Sequence, residues 1–90
     1  MMKLIMNFEV SKGYETWKKA FLANEPMRQR HNINLLAYGH ADDNENNVYS
    51  VIEIPAMEVM QDMLKDPDMV TLRENAGVIL ETQSMIKLVE

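Results

Sequence analysis

Every second residue from Leu4 to Val10 is apolar, and this spacing constrains the fold of the chain more than any other feature. Successive side chains of a β-strand point to opposite faces, so the apolar residues of this segment share one face. The segment is therefore predicted to be the first strand of a sheet.

Helical spacing replaces this alternation after Ser11, a residue that can cap the N-terminus of a helix. Side chains that recur at intervals of three or four residues are Tyr14, Trp17, Phe21 and Asn24. This pattern predicts an amphipathic first helix. Pro26 breaks or restarts the helix, and residues 27–32 are predicted to form a short extra turn.

Two further strands are predicted at residues 33–40 and 48–54, where branched, aromatic and apolar residues are concentrated. Residues 42–47, which lie between them, are all Asp, Asn or Glu. Asn and Asp favour turns because they tolerate left-handed backbone and bond their own chain. The two strands are therefore predicted to form a hairpin, and the second of them stops at Pro55.

A second helical region follows Pro55. One stripe of this helix is marked by Met57, Met60, Gln61 and Leu64. Pro67 interrupts the stripe and suits the first turn of a second helical piece, which Gly77 can end by adopting left-handed backbone. Residues 84–89 are predicted to be the last strand.

The resulting order is strand, helix, strand, strand, helix, strand, which predicts an α+β fold with a four-stranded antiparallel sheet. Residues 1–90 are expected to form a single domain, because the chain is short and no run rich in Pro, Gly or Ser marks a linker.

The charge and the cysteine count limit the partners and the compartment. The net charge is −5, so the overall field repels phosphate backbones and acidic lipid surfaces, and we expect neither nucleic acid nor membrane as a partner. The chain contains no cysteine, which is compatible with a reducing compartment. Lys3, Asn7 and Glu9 interrupt the apolar opening, so we expect no signal peptide and a cytoplasmic location.

The side of the sheet away from the helices is also predicted to be apolar. Leu35 and Ala37 are predicted on the helix side. The residues predicted on the opposite side are Ile5, Leu36, Tyr38, Tyr49 and Val51. Four strands present about 350 Å² of flat face, which is close to the limit of what a monomer leaves exposed. We therefore expect a homodimer that covers this face, although a helix folded over it would have the same effect.

In this layout the chain resembles the dimeric α/β-barrel superfamily of ferredoxin-like βαββαβ proteins. The resemblance depends on Trp17 and Phe21 in the first helix, the acidic hairpin after Gly39, the Asp66–Pro67 helix break and Gly77. It implies two sheets that close face to face as a barrel, with a ligand cleft between each sheet and its own helices. Members include cofactor-free monooxygenases, lactone isomerases, haem-degrading enzymes and amino-acid-sensing domains, so the fold leaves the function open.

The resemblance to the haem-degrading branch is incomplete. That branch implies an Asn in the first strand, a Trp late in the second helical region and a His just beyond it. Asn7 can fill the first position, but the later ones hold Met63 and Arg73, and no His follows His40. This departure argues against haem degradation.

Two groups of polar residues are candidates for ligand binding. Asn7, Tyr38, His40, Tyr49 and Glu53 are predicted on one set of sheet faces, where they can bind or deprotonate a small polar molecule. Alternatively, the two tyrosines pack at the dimer interface, and His40 and Glu53 lie at solvent-exposed strand ends.

The second candidate group is basic and comprises Arg28, Arg30 and His31, near the end of the first helical region. These side chains can hold an anionic ligand, or they form a solvated patch that balances nearby acids. Trp17 is a further candidate, as a ligand platform or as a core anchor. The nine methionines are expected to fill the core and the cleft wall.

No cofactor and no metal are expected. The residues that match ligand positions of a calcium-binding helix-loop-helix are Asp42, Asn44, Asn46 and Glu53. Asn47 stands where that loop needs glycine, and the flanking segments are predicted strands, so the match is interpreted as a hairpin turn. The isolated glycines form no phosphate-binding loop, and no serine lies in a nucleophile elbow.

The leading hypothesis is a homodimer that binds a small organic molecule between its sheet and its helices. A cofactor-independent monooxygenase or isomerase on the same scaffold is the alternative, with His40 or His31 as the base. A structural or regulatory dimer without a ligand is the third possibility.

Overall fold

The computed structural model describes residues 2–89. Its elements in chain order are β1 (Met2–Val10), α1 (Tyr14–Ala23), α2 (Glu25–Arg30), β2 (Asn34–Ala41), β3 (Asn44–Ile54), α3 (Met57–Lys65), α4 (Pro67–Asn75) and β4 (Val78–Leu88). The described strands form one antiparallel sheet in the order β2-β3-β1-β4. The predicted α+β, ferredoxin-like βαββαβ fold is confirmed, with each helical region divided into two helices.

The central strands β1 and β3 set the two faces of the sheet. Leu4 lies opposite Ile52 and Phe8 lies opposite Val48, and all four side chains are buried beneath the helices. The predicted alternation from Leu4 to Val10 is therefore confirmed as the core-facing side of β1.

The core on this side of the sheet is divided into two clusters. The first, here called the Met60 cluster, consists of Leu4, Met6, Ile33, Ile52, Ile54, Met60 and Met63. The second, here called the Trp17 cluster, consists of Phe8, Val10, Trp17, Val48, Ala76 and Val78. Met60 and Met63 come from α3 and Trp17 comes from α1, so these two helices are anchored to different clusters.

An irregularity in β2 reverses the predicted sides of two residues. Leu35 pairs with Ile52, but the next partner along β3, Val51, pairs with Ala37, so β2 contains one extra residue. Such a bulge shifts the alternation by one position. Tyr38 therefore lies on the helix side, opposite Ser50, and Ala37 lies on the other side. The predictions that Ala37 lies on the helix side and Tyr38 on the opposite side were therefore wrong.

The helix ends differ in part from the prediction. Helix α1 begins after Gly13, which has a φ of 87°, and Ser11 is not its cap. The Ser11 hydroxyl instead donates a hydrogen bond to the Gly77 carbonyl at 3.3 Å. Gly77 also has a φ of 87°, as predicted for the end of the second helical region. The Asp66 side chain caps α4 by accepting from the backbone N–H of Asp68 at 2.9 Å.

Two strands begin earlier than predicted. β3 starts at Asn44, and Asn47 pairs with Glu9 of β1, because strand pairing outweighs the turn preference of an Asn-rich segment. β4 starts at Val78, with an irregularity between residues 79 and 84. There the Thr82 hydroxyl accepts from the Glu9 N–H at 2.8 Å and donates to the Ile79 carbonyl at 2.6 Å.

The side of the sheet away from the helices, here called the open face, is largely apolar. Its apolar residues are Ile5, Leu36, Ala37, Tyr49, Val51, Ile86 and Leu88. Exposure reaches 57% at Ile86, 49% at Leu36 and 41% at Tyr49. No described helix is long and apolar enough to cross a membrane.

Candidate functional site

A cleft of about 60 Å³ lies between the helices and the sheet, at the boundary of the two core clusters. Its walls come from both clusters and from α1, α3 and α4. Apolar side chains of the walls include Phe8, Trp17, Met60, Met63, Met69 and Leu72. The cleft therefore interrupts the core between the sheet and the helices.

Trp17 forms part of this wall and is also the centre of an aromatic group. Its indole is 2% exposed, stacks on Phe21 with ring centroids 4.6 Å apart and meets the edge of Phe8 at 5.9 Å. Tyr14 lies 5.7 Å away on the same helix. Trp17 therefore contributes to the core and to the cleft at the same time.

Arg28 is the most deeply buried charged residue of the cleft, with 3% of its surface exposed. Its Nε donates to Glu25 Oε2 at 2.8 Å, and an Nη donates to the Phe21 carbonyl at 2.7 Å. The guanidinium lies 4.1 Å from the centre of the Phe21 ring. These contacts join the C-terminal end of α1 to α2, so Arg28 has a structural role that does not require a ligand.

The partner of Arg28 is held in its charged form. Hydrogen bonds from Gln29 and from Arg28 lower the pKa of Glu25 below the ordinary value of a glutamate. The Gln29 amide donates to Glu25 Oε1 at 2.7 Å, so each carboxylate oxygen accepts one hydrogen bond. The charge of Arg28 is thereby compensated by a neighbour on its own helix.

Arg73 reaches the cleft from α4 and has different surroundings. An Nη donates to the Gln83 side-chain oxygen, and the guanidinium lies 5.8 Å from the centre of the Phe8 ring. Within residues 2–89 no carboxylate approaches it within 4.0 Å. Burial lowers the pKa of Arg73, but arginine remains protonated in proteins. The cleft therefore contains a cation that no acidic group of the described chain neutralises.

Two neutral polar residues complete the lining. The Asn24 amide donates to the sulfur of Met69 at 3.4 Å, and Ser50 is 3% exposed in the middle of β3. Both lie among apolar side chains. The cleft is thus a mostly apolar space with a few convergent polar groups, which is the usual composition of a small-molecule site.

The sequence-predicted candidates are only partly brought together. Trp17 and Arg28 line the cleft, whereas His31 lies in the turn after α2. The predicted basic cluster does not converge, because the neighbouring Arg30 is exposed while Arg28 is buried.

Because of the bulge in β2, the predicted polar group on the sheet is divided between the two faces. Tyr38 and His40 lie on the helix side, opposite Ser50 and Val48, but outside the cleft lining. His40 packs against the Tyr14 ring, with centroids 4.6 Å apart, and its Nδ1 is 2.8 Å from the Ala41 carbonyl oxygen.

Asn7, Tyr49 and Glu53 lie on the open face instead. Asn7 donates to the Asn47 side-chain oxygen at 2.6 Å, and Glu53 accepts from Asn34 at 3.3 Å. The prediction that these residues share one set of faces with Tyr38 and His40 was wrong.

The residues that matched calcium positions lie in and around the hairpin that joins β2 to β3. Asn44, which matched a calcium position, accepts a hydrogen bond from the Asn46 N–H at 3.0 Å as part of the turn. No group of three His, Cys, Asp or Glu side chains that could hold a metal occurs among residues 2–89.

Sequence reasoning did not select Arg73, Asn24 or Ser50 as site residues. A signal for Arg73 is nevertheless present, because it stands four residues after Met69 and three before Ala76, at the spacing of a core-facing stripe. A charged residue on such a stripe indicates that the helix places a polar group against the core.

Comparisons with solved structures establish the fold. The chain is similar to an uncharacterized NIPSNAP domain protein from Burkholderia xenovorans, with 13% identity, a TM-score of 0.72 and coverage of 100% of this chain and 94% of that one. It is similar to an antibiotic biosynthesis monooxygenase, with 14% identity, a TM-score of 0.61 and coverage of 100% and 98%.

A third similar structure is a cofactor-independent oxygenase from Streptomyces nogalater, with 13% identity, a TM-score of 0.67 and coverage of 99% of this chain and 91% of that one. No family model matches the sequence, and no curated protein matches it. These similarities show the fold, an antiparallel four-stranded sheet with helices on one side, as the sequence layout predicted.

Proposed function

We propose that the protein binds a small organic molecule in the cleft between its sheet and its helices. The observation that supports this proposal is the interruption of the core, where apolar walls from both clusters surround a space that contains the guanidinium of Arg73. A chain of 90 residues has few apolar groups available for burial, so an unfilled space in its core lowers its stability unless something occupies it.

The size of the space limits the ligand. A volume of 60 Å³ holds roughly four to six groups of the size of a water molecule. The walls contain Met60, Met63 and Met69, whose unbranched side chains can adapt to a larger molecule. The ligand is therefore a compact molecule with an apolar body.

The same proposal includes a homodimer formed through the open face. Ile86 and Leu88 are 57% and 42% exposed there, and Ile86 pairs with Ile5, which in turn pairs with Val51 on the same face. A two-fold axis would cover this surface on both copies at once. The acidic net charge of −5 favours neither nucleic acid nor acidic lipid as a partner, and the proposed location is the cytoplasm.

Native mass spectrometry of the protein as purified from cells tests both parts of the proposal. The expected result is a dimer with additional mass that is lost when the same sample is denatured. A bare dimer that also remains unchanged in the presence of a broad set of small organic acids, alcohols and amides would contradict ligand binding. A monomer at micromolar concentration would contradict the dimer.

A cofactor-independent oxygenase or isomerase is the second candidate, because an oxygenase from Streptomyces nogalater has a similar fold. His40 is its sequence-predicted base, but His40 lies outside the cleft lining. His40→Ala separates the candidates: loss of turnover with ligand affinity retained supports an enzyme, and no change in either excludes His40. A structural or regulatory dimer would show a closed cleft and no ligand.

A further inference from the structure

Arg73 is the side chain of the cleft whose contacts indicate what kind of ligand the cleft accepts. It is partly buried beside the Phe8 ring, and it donates a hydrogen bond to the neutral amide oxygen of Gln83. Removing a charge from water is costly unless an opposite charge or several hydrogen bonds replace the water. A neutral amide satisfies one of the five N–H donors of a guanidinium and does not compensate its charge.

The comparison with Arg28 shows that compensation is available elsewhere in the same cleft. Arg28 is paired with the Glu25 carboxylate at 2.8 Å and also bonds the Phe21 carbonyl. Arg73 has no equivalent carboxylate within residues 2–89. Of the two guanidiniums that line the cleft, Arg73 is therefore the one whose charge remains to be matched.

We propose that Arg73 binds an oxyanion of the ligand, so that the ligand class is a compact apolar molecule with one carboxylate or enolate oxygen. This inference rests on the proposed function of the cleft. Phe8, Trp17 and Leu72 provide the surface for the apolar body. Gln83 fixes the guanidinium by accepting a hydrogen bond from one of its N–H groups. The remaining N–H donors of the planar group are left for an oxyanion.

The overall charge of the protein makes this inference specific. A net charge of −5 disfavours the approach of any anion. A preference for an anionic ligand over a neutral molecule of the same shape must therefore come from a local cation. Arg73 is the lining residue that can supply it, since the charge of Arg28 is already paired.

Two matched pairs of probes test the inference: butyrate with butyramide, and propionate with propionamide. Within each pair the shape is nearly constant and the charge differs. The readout is the indole N–H signal of Trp17 in ¹H–¹⁵N spectra, which is unambiguous because the chain has one tryptophan and it lines the cleft. Dissociation constants come from titration of this signal.

The expected result is that each acid binds about ten- to a hundredfold more tightly than its amide, the range of a charge-assisted hydrogen bond. In Arg73→Met the preference disappears while the affinity for the amide is retained. Arg73→Lys keeps part of the preference. Lys65→Met, which removes an exposed cation next to the cleft residue Leu64, behaves as the unaltered protein does. Far-UV circular dichroism confirms that each variant is folded.

Equal binding of acid and amide by the unaltered protein would overturn the inference and leave the proposed function intact. If Arg73→Met keeps the preference for the acid, the inference is also overturned. An equal loss of this preference in Lys65→Met would overturn it as well, because it would show a general charge effect. If none of the four probes moves the Trp17 signal while other small molecules do, the inference alone fails. If a broad set of small organic acids, alcohols and amides leaves the signal unchanged, the ligand-binding function fails and the inference fails with it.

Discussion

Replacement of Trp17 by alanine tests whether this residue holds one of the two core clusters together. Its side chain is 2% exposed and contacts the rings of Phe8, Tyr14 and Phe21. Substitution of a buried Trp by Ala costs about 3 to 5 kcal/mol, and each lost aromatic pair accounts for about 0.5 to 1.5 kcal/mol of that range. One side of the indole already borders the free space of the cleft, so we expect a loss near 3 kcal/mol, the lower end.

Equilibrium unfolding in urea, followed by far-UV circular dichroism, measures this loss without the tryptophan signal that the substitution removes. All samples need the same protein concentration, because dimer formation contributes to apparent stability. Leu22→Ala is a matched control on the same helix, since Leu22 is 41% exposed and its truncation is expected to change stability by about 0.5 kcal/mol or less. A loss below about 1 kcal/mol for Trp17→Ala, or a loss equal to that of the control, would refute the assignment of Trp17 to the core.

Three further substitutions test other parts of the structure. Glu25→Gln is expected to remove about 0.5 kcal/mol of stability near neutral pH, because the carboxylate is 40% exposed and the ion pair is screened. The folded pKa of Glu25 is lowered, so this stability is present above the ordinary carboxyl pKa and is lost as the pH falls through the folded pKa. Gly77→Ala is expected to cost about 2 kcal/mol, since φ is 87° and a new Cβ would lie 3.0 Å from Lys12 Cβ. Ile86→Lys on the open face is expected to shift the protein from dimer to monomer, whereas Met85→Lys on the opposite side of the same strand is not.

Urea midpoints recorded from neutral into acidic pH check the prediction for Glu25→Gln. A difference in stability from the unaltered protein that stays constant with pH would contradict that prediction. The same midpoints at neutral pH check Gly77→Ala, for which no loss of stability is the contrary result. Size-exclusion chromatography with light scattering checks Ile86→Lys, and a retained dimer would show that the open face is not the interface.

The order of elements could be predicted from the sequence because its signals are local. The alternation from Leu4 to Val10, the aromatic spacing around Trp17 and the left-handed position of Gly77 depend on neighbouring residues alone. Each is confirmed, and the similarity to solved structures confirms the fold.

The features that were missed depend on contacts between distant segments. Tyr38 changes sides because β2 bulges against β3, and a strict alternation cannot show where an extra residue lies. Arg28 was predicted to belong to a basic cluster that holds an anion or forms a solvated patch, but the docking of α2 onto α1 buries it beside Phe21. The cleft itself arises where the two clusters fail to meet, which no single segment of the sequence encodes.

The division of the core also bears on how a molecule could enter it. α4 has no fully buried side chain and forms one boundary of the cleft, whereas α1 is held by Trp17 and α3 by Met60 and Met63. Segments with few buried contacts open locally at a lower free energy than the whole domain unfolds. Outward movement of α4 alone would therefore admit a ligand while both clusters stay packed, and amides of α4 should exchange with solvent faster than those of α1 and α3. A bound molecule that contacts Arg73 would connect α4 to the sheet and slow that exchange.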